Sequence, residues 1–343
     1  MALELIVGAL SAFALSVWLT SRFCRPGSRL YILDHPTDRS LHSQPVPRSG
    51  GVAIVVSILI TGTVLCALRE DIPVGWPWLV TVLLLVAGVG FIDDRRSLSP
   101  LVRLLVHSVA GVLVVAGGFM LEQWQLPGWT FTLPRELAIV ITWLFIVWMI
   151  NLYNFMDGMD GFASGMTFIG FSTFAFIGLV AGNSAFAALS LIIAAAALGF
   201  LCFNFPPARI FMGDAGAYSL GLLAAGFTLW GVRAGLFPFW VPVLIFSPFI
   251  ADATITLIWR TIRGESVVKA HRTHFYQQLV QRGYGHRKTV LGQYALMFAC
   301  ATSAIVAPYL TPLAQWVMIV CWAAAYVMLI IWIAQAREPR TSV

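Results

Sequence analysis

The sequence has little charge and no closely paired cysteines. Only 10% of its 343 residues are charged, whereas a soluble domain carries about 25%. In contrast, 59% are hydrophobic, and the mean hydropathy is +0.85. The shortage of charge excludes a soluble globular enzyme, a disordered protein and an ordinary nucleic-acid-binding domain. The five cysteines occur singly, without a C-x-x-C pair, so the sequence indicates neither a zinc ribbon nor a disulfide framework. A polytopic membrane protein remains.

Long apolar runs predict how the chain crosses the membrane. A spanning helix needs about 20 apolar residues, and continuous rather than alternating runs favour helices over a barrel. We therefore predict an all-α polytopic integral membrane protein with about 11 transmembrane helices, forming a single domain over residues 1–343. The predicted spans are 2–21, 49–68, 76–92, 101–120, 136–152, 164–181, 185–204, 217–232, 237–259, 290–309 and 314–334.

The basic residues predict the orientation. With the N-terminus outside the cytoplasm, 18 of the 21 lysines and arginines fall on the cytoplasmic side, and Arg69, Arg135 and Arg233 fall outside. Because basic residues accumulate in cytoplasmic loops, we expect the N-terminus outside and the C-terminus in the cytoplasm. No basic stretch precedes the first run and no clear cleavage site follows it, so we expect a retained helix rather than a signal peptide. The predicted cytoplasmic loops, which carry the chemistry, are 22–48, 93–100, 153–163, 205–216 and 260–289.

Carboxylates lie where two of the predicted spans meet the cytoplasm. The third span ends in Asp93-Asp94, and two adjacent carboxylates repel each other unless a cation or a proton lies between them. They indicate either a solvated helix end or a site that binds a metal or activates a phosphate. Asp214 lies between two glycines just before the eighth span. It is either a cap of that helix or a metal carboxylate that faces Asn154 and Asp157.

The end of the fifth span carries a polar residue at every third position, namely Asn151, Asn154, Asp157 and Asp160. On a helix these four side chains share one face, although the two glycines of this segment favour an opening into a loop. Packing alone does not explain such a run inside an apolar protein. Oxygen ligands of this kind suit Mg²⁺.

The last cytoplasmic loop is dense in basic residues and contains His271 and His274. Two histidines without a third ligand are a weak indication of a zinc site. The positive charge is better matched to a phosphate or pyrophosphate, although part of it reflects the general excess of basic residues in cytoplasmic loops. Asp252, inside the ninth span, indicates either a functional group or a helix-packing hydrogen bond. Together, the clusters predict a metal-dependent phosphoryl transfer between a soluble diphosphate and a lipid phosphate.

Two other classes of protein stay open on these residues alone. An ion-coupled transporter also carries intramembrane Asp and Asn, but it should place them at mid-membrane, often in paired repeats, and the sequence contains no repeat. A non-enzymatic protein that binds a lipid carrier or acts as a scaffold is disfavoured by the retained carboxylates.

The motifs occur in an order that resembles a known family. The resemblance is carried by Asp93-Asp94, Asn151-x-x-Asn154-x-x-Asp157-Gly158-x-Asp160-Gly161, Pro206-Pro207-Ala208-Arg209-x-Phe211-x-Gly213-Asp214-x-Gly216 and Pro47-Arg48-x-Gly50-Gly51. Over residues 34–288 the chain resembles the polyprenyl-phosphate N-acetylhexosamine-1-phosphate transferases (glycosyltransferase family 4). The resemblance implies transfer of a sugar-1-phosphate from a UDP-sugar to undecaprenyl phosphate, with release of UMP and with Mg²⁺ or Mn²⁺ as the cofactor.

The resemblance also implies roles for individual residues. The implied metal ligands are Asp214 and Asn154. The implied catalytic residues are Asp93, Asp94 and Asp157. The implied contacts with the nucleotide-sugar are made by Asn151, Asp160, Arg209, Arg272 and His274. The implied contacts with the lipid phosphate are made by Arg103 and Arg48.

The last loop departs from many family members, which carry consecutive histidines where this chain has His274-Phe275-Tyr276, and Ala217 stands where serine is usual. In this form the loop resembles the subgroup that starts O-antigen synthesis with N-acetylfucosamine or N-acetylquinovosamine phosphate. The alternative is the peptidoglycan-precursor phospho-N-acetylmuramoyl-pentapeptide transferase. We expect UDP-N-acetylhexosamine and undecaprenyl phosphate as partners, no nucleic acid, and an inner-membrane location with the active site on the cytoplasmic face. Whether the chain forms a homodimer is left open.

Overall fold

Helices make up most of the structure, a computed structural model that describes residues 2–36, 41, 44–69, 75–266 and 271–335. Parts of the predicted loops 22–48 and 260–289 lie outside the described residues. The α-helices are α1 (Ala2–Phe23), α2 (Gly50–Ala67), α3 (Gly75–Arg96), α4 (Pro100–Ala116), α5 (Arg135–Met156), α6 (Phe162–Val180), α7 (Ser184–Asn204), α8 (Asp214–Arg233), α9 (Trp240–Ile245), α10 (Ser247–Ile262), α11 (Phe275–Leu279), α12 (Gly285–Val306) and α13 (Pro312–Gln335).

Short elements complete the described chain. A π-helical turn, Val280–Tyr284, joins α11 to α12, and a 3₁₀ turn, Ala307–Tyr309, follows α12. Two antiparallel strand pairs are present, namely β1 (Leu33–Asp34) with β2 (Val46–Pro47), and β3 (Gln123–Leu126) with β4 (Trp129–Thr132).

The all-α polytopic architecture is confirmed. Over the described residues, nine helical segments are long and apolar enough to cross a membrane, namely α1, α2, α3, α5, α6, α7, α8, the α11–α12 segment and α13. Two of the eleven predicted spans take another form. The run at 101–120 forms α4, which has only 17 residues, and the run at 237–259 is divided into α9 and α10. The side of the membrane on which each terminus lies stays a prediction.

The break between α9 and α10 has a local cause at Pro248. Proline has no backbone N–H, so this residue cannot bond the carbonyl of Leu244, four residues earlier. The Ser247 hydroxyl donates to that carbonyl instead, at 2.7 Å. A separate helix therefore begins at Ser247, and it carries Asp252 in its second turn.

Helix α8 lies at the centre of the described bundle, between α3 and α5 and against α2. Small residues allow the close packing, as the glycine-rich and alanine-rich runs predict. A Cβ on Gly221 would lie 2.7 Å from the Cα of Ile150 in α5, and one on Gly90 of α3 would lie 2.7 Å from the Cα of Ala215. The first turn of α8 consequently lies beside the last turn of α3.

Backbone hydrogen bonds attach the first loop to the same end of the bundle. The N–H of Phe211 donates to the carbonyl of Pro47, and the N–H of Gly51 donates to the carbonyl of Met212, both at 2.7 Å. Gly51 tolerates no side chain, because a Cβ there would collide with the backbone of Gly216 in α8. The Pro-Arg-x-Gly-Gly segment is thereby fixed beside the first turn of α8.

Candidate active site

A cavity of about 450 Å³ opens where these helix ends and loops meet. Its polar lining comes from the first loop, the end of α3, the start of α4, the end of α5 and the segment after it, the end of α7, the first turn of α8, and the last loop with the start of α12. The lining includes Asp34, Arg48, Asp93, Asp94, Arg103, Asn154, Asp157, Asp160, Asn204, Asp214, His271, His274, Tyr276, Gln277 and His286. Nine of the twelve predicted site residues therefore line one cavity.

Asp93 is buried and fully hydrogen-bonded. One carboxylate oxygen accepts from the Arg103 Nε at 2.7 Å and from the Tyr218 hydroxyl at 2.6 Å, and the other accepts from the Leu98 N–H at 2.7 Å. Arg103 also donates from Nε to the carbonyl of Leu98, at 3.1 Å. Asp93 therefore holds the Arg103 guanidinium at the cavity wall.

Asp94 caps α8 from a neighbouring helix. Its two carboxylate oxygens accept from the backbone N–H groups of Asp214 at 2.9 Å and Ala215 at 3.1 Å. A carboxylate at this position is favoured by the partial positive charge of a helix N-terminus. Arg48 approaches the same carboxylate, with Nε 3.8 Å from Oδ1, and its Nη2 donates to the Asp94 carbonyl.

Gly213 makes this cap possible. Its φ of +76° is unfavourable for residues with a Cβ. A Cβ would also lie 2.7 Å from Oδ1 of Asp94 and would collide with the Arg48 carbonyl. The glycine before Asp214 is thus explained by a close approach as well as by its backbone conformation.

Three carboxylates face one another beside this cap, and we call Asp94, Asp157 and Asp214 the α8 cluster. The Asn154 Nδ2 donates to Asp214 Oδ1 at 2.6 Å. Burial, and then the negative charges of Asp214 and Asp94, raise the pKa of Asp157 well above its ordinary value, although the N–H of Gly213 donates to this carboxylate. The negative charge of the α8 cluster is therefore incompletely compensated by the surrounding protein.

The α8 cluster fits a divalent cation that shares its ligands with a substrate. Within the described residues, no three His, Cys, Asp or Glu side chains are arranged to hold a metal ion, which argues against an all-protein cage. Mg²⁺ usually takes only one or two carboxylates, together with water and substrate phosphates. Asp214, with Asn154 bound to it, provides such a partial set, and a cation there would offset the repulsion that raises the pKa of Asp157.

Asp160 and Asn204 join the segment after α5 to other parts of the chain. Asp160 accepts from the Ala208 N–H at 3.0 Å and pairs with the His286 Nδ1 at 3.1 Å. Asn204 accepts from the N–H of Gly161 at 2.9 Å, and its own Nδ2 donates to the backbone of the 205–212 segment. Asn204 is not among the predicted site residues, and its position at the polar end of an apolar helix is the sequence signal that could have marked it.

The last loop is anchored by Asp252, for which the sequence left two readings open. Its carboxylate accepts from the His274 Nδ1 at 3.1 Å and from the backbone N–H groups of Phe275 and Tyr276, each at 3.0 Å. Asp252 therefore links α10 to the start of α11 through hydrogen bonds. The Tyr276 hydroxyl donates to the Phe155 carbonyl at 3.0 Å, which ties α11 to the end of α5.

His271 lies beside His274, with 4.8 Å between the ring centroids. Burial, and then the neighbouring charges of His274 and Arg260, lower the pKa of His271 to about 4. The His271 ring is therefore neutral at pH 7, and it bonds to the Thr273 hydroxyl at 2.9 Å.

Three predicted site residues lie away from the cavity lining. Asn151 donates to the Val147 carbonyl at 2.7 Å inside α5, deeper than Asn154. The Arg209 guanidinium lies over the Phe203 ring, 4.5 Å from its centroid. Arg272 is exposed on the last loop. Their contacts with a nucleotide-sugar stay predictions.

Comparison with known proteins identifies the family. Residues 76–232 match glycosyl transferase family 4. A "Probable undecaprenyl-phosphate N-acetylglucosaminyl 1-phosphate transferase" of Bacillus subtilis (strain 168) is 31% identical over 277 residues, which cover 80% of this chain and 76% of the relative. The chain belongs to glycosyl transferase family 4. The resemblance drawn from the sequence motifs is thus confirmed.

Other family relatives carry related names. A "Decaprenyl-phosphate N-acetylglucosaminephosphotransferase" of Mycobacterium tuberculosis (strain ATCC 25618 / H37Rv) is 30% identical over 318 residues, covering 84% of this chain and 78% of the relative. A "Phospho-N-acetylmuramoyl-pentapeptide-transferase" of Clostridioides difficile (strain 630) is 33% identical over 215 residues, which cover 58% of this chain and 65% of the relative. The family match extends from α3 to α8 and so includes the α8 cluster, whereas Asp252 and His274 lie beyond it.

Proposed function

We propose that this family 4 protein transfers an N-acetylhexosamine-1-phosphate from a UDP-sugar to undecaprenyl phosphate and releases UMP. The observation that carries the proposal is the α8 cluster, whose carboxylates share one cavity with Arg48 and Arg103. A cavity with both charge signs can hold a cation and the anionic phosphates of two substrates. The names of the B. subtilis and M. tuberculosis relatives support a polyprenyl phosphate as the acceptor.

The contacts of each residue indicate its role in this reaction. Arg103, held by Asp93, and Arg48, held beside Asp94, bind and orient the acceptor phosphate. Asp93 and Asp94 already accept hydrogen bonds from protein donors, so we assign them to positioning. Burial and the negative charges of Asp214 and Asp94 raise the pKa of Asp157, and we assign this carboxylate the removal of the proton from the acceptor phosphate.

The α8 cluster would hold Mg²⁺ or Mn²⁺ through Asp214, which Asn154 orients by its hydrogen bond. A divalent cation there supplies charge neutralisation at the donor diphosphate. Asp160 and His274, which line the same cavity, contact the nucleotide-sugar in this arrangement.

The proposed location is the inner membrane, with the cavity on the cytoplasmic side, where the basic loops lie. The proposed product begins an O-antigen or a related surface glycan, as the form of the last loop indicates. The second candidate is the phospho-N-acetylmuramoyl-pentapeptide transfer named for the C. difficile relative, which the 33% identity favours. An ion-coupled transporter is disfavoured, because the carboxylates lie at helix ends rather than at mid-helix.

Exchange of radiolabelled UMP into a UDP-sugar tests the reaction. The purified full chain, in liposomes with undecaprenyl phosphate and Mg²⁺, is incubated with a panel of UDP-N-acetylhexosamines and with UDP-N-acetylmuramoyl-pentapeptide. We expect exchange with one N-acetylhexosamine, and mass detection of the matching lipid diphosphate sugar. Exchange with the pentapeptide donor alone selects the second candidate, and no exchange with any donor contradicts the transferase.

A further inference from the structure

Asp252 and His274 form a buried pair in the α10–α11 wall of the cavity. Their side chains are only 6% and 4% exposed, and Asp252 Oδ1 lies 3.1 Å from His274 Nδ1. The same carboxylate accepts from two backbone N–H groups at the start of α11 and from the Thr256 hydroxyl at 3.3 Å. His274 lines the cavity, whereas Asp252 lies behind it.

The donors around Asp252 fix the direction of its bond to His274. An ionised carboxylate only accepts hydrogen bonds, so the hydrogen must lie on His274 Nδ1. Asp252 occupies Nδ1, and His274 lines the cavity, so Nε2 is the ring nitrogen that is not bound to Asp252. The rings of Phe155 and Tyr276 stack on the imidazole, with interplanar angles of 26° and 13°. The ring is therefore held in one orientation, and Nε2 is the nitrogen left for a ligand.

We propose that Asp252 is a positioning residue that presents His274 Nε2 to an anionic phosphate of the nucleotide-sugar. This inference rests on the proposed function, which supplies the substrate class. A histidine whose Nδ1–H is held by a carboxylate has a fixed ring and tautomer. The carboxylate also compensates the positive charge when the imidazole donates from Nε2 to a phosphate oxygen. The effect of Asp252 therefore passes through His274 and concerns binding more than turnover.

Four variants of the full chain in lipid nanodiscs test this role, namely Asp252→Asn, His274→Gln, the double variant, and Thr256→Val as the matched control. The measurements are kcat, the KM for the UDP-sugar, and the Kd of UDP as a probe. We expect Asp252→Asn to raise KM and Kd roughly 10- to 100-fold, the range seen when a carboxylate behind a functional histidine is lost. Thr256→Val, which removes only a hydroxyl donor to Asp252, should stay within about twofold.

The double variant separates positioning from a general structural role. If Asp252 acts through His274, the double variant binds UDP no more weakly than His274→Gln alone, because effects on one interaction do not add. Additive losses, or an unchanged KM and Kd in a folded Asp252→Asn variant, would overturn the inference.

A spectroscopic readout covers the case in which Asp252→Asn does not fold. The ¹⁵N signals of the six histidines in the wild-type chain report which ring nitrogen carries hydrogen, and His274→Gln identifies the signal of His274. We expect hydrogen on Nδ1 and a shift of the Nε2 signal when UDP is added. Hydrogen on Nε2 of the neutral ring, or no response of Nε2 to bound UDP, contradicts the inference. A wild-type chain that neither converts the UDP-sugar nor binds UDP contradicts the proposed function instead. In that case the ring nitrogen that carries hydrogen still shows whether Asp252 and His274 are paired as inferred.

Discussion

The α8 cluster and the α10–α11 wall hold their carboxylates in opposite ways. In the α8 cluster, Asp94, Asp157 and Asp214 lie close enough that burial and mutual repulsion raise the pKa of Asp157. In the α10–α11 wall, Asp252 stands as a single carboxylate among four hydrogen-bond donors. The first arrangement leaves repulsion that a cation or a proton can relieve, whereas the second spreads one negative charge over several hydrogen bonds.

A buried carboxylate in a polar site therefore has two distinct roles. Where buried carboxylates lie close together and repel one another, the site is completed by something that the protein does not contain, and substitution should affect turnover. Where donors saturate the carboxylate, it supports other residues, and substitution should affect binding or stability. Substitutions in the two regions should therefore differ in both the kind and the size of their effects.

Replacement of Asp214 by asparagine should abolish turnover, with a loss of at least about 100-fold in kcat. A neutral amide binds Mg²⁺ less strongly than a carboxylate does. Initial rates at saturating Mg²⁺ measure the loss. Ser219→Ala, which removes a hydroxyl bonded within the same helix, is the matched control and should keep normal activity. Near-normal kcat in a folded Asp214→Asn variant would remove Asp214 from the metal site.

Replacement of Asp157 by asparagine should lower kcat by about 10²–10⁴-fold at pH 6, the usual contribution of a general base. The loss should shrink towards pH 9, because the second pKa of a phosphate monoester is about 6 and the acceptor then needs no base. Profiles of kcat against pH from 6 to 9 for Asp157→Asn, Asp93→Asn and Asp94→Asn distinguish the roles. A loss that is independent of pH in Asp157→Asn, with a shrinking loss in Asp93→Asn or Asp94→Asn, would transfer the base to that residue.

Gly213→Ala should reduce activity and stability together, because its Cβ would displace the Asp94 carboxylate from the start of α8. Gly235→Ala is the matched control, since Gly235 has a similar φ of +69° but no atom within 4 Å of a Cβ. Both variants carry backbone strain, of roughly 1–3 kcal/mol and larger at Gly213, whose ψ of 174° is one that other residues rarely adopt with a positive φ. Only Gly213→Ala should also lose about tenfold or more in kcat/KM. Equal activity in the two variants would show that the Asp94 cap does not matter for catalysis.

His271→Gln should make thermal stability less dependent on pH between 4 and 6.5. The pKa of His271 is about 4 in the folded protein and 6.5 ordinarily, so the unfolded chain binds more protons in this range. The free energy of unfolding therefore falls as the pH falls from 6.5 towards 4. Melting temperatures of the wild type and His271→Gln at pH 4.5 and 7 measure this, with Thr273→Val as the control that keeps the titrating ring. A wild-type curve that is flat over this range would contradict the buried, neutral state of His271.

Several site residues could be predicted from the sequence because polar groups in apolar surroundings are few. Asn154, Asp157 and Asp214 were named from their spacing and motif, and the structure brings them together in the cavity. The shared helical face expected for the 151–160 run is only partly realised, because α5 ends at Met156. Asn151 consequently stays within the helix, while the later carboxylates belong to the following loop.

Other residues could not be assigned from their neighbours in the chain. Asp93 and Asp94 are adjacent and look equivalent in the sequence, yet one binds Arg103 and the other caps α8. Asp252 and His274 are separated by 22 positions and become partners only because a new helix begins at Ser247.

The amino-acid sequence is sufficient to predict a bundle of membrane-spanning helices with its polar chemistry at helix ends. Apolar runs of this length must satisfy their backbone groups internally, and the helix does so within each run, so no distant contact is needed. Which carboxylates repel one another and which are paired with donors depends instead on how the helices pack. The cap of α8 joins residues 120 positions apart, and such a bond depends on how closely α3 approaches α8, which glycine packing permits and local sequence does not specify.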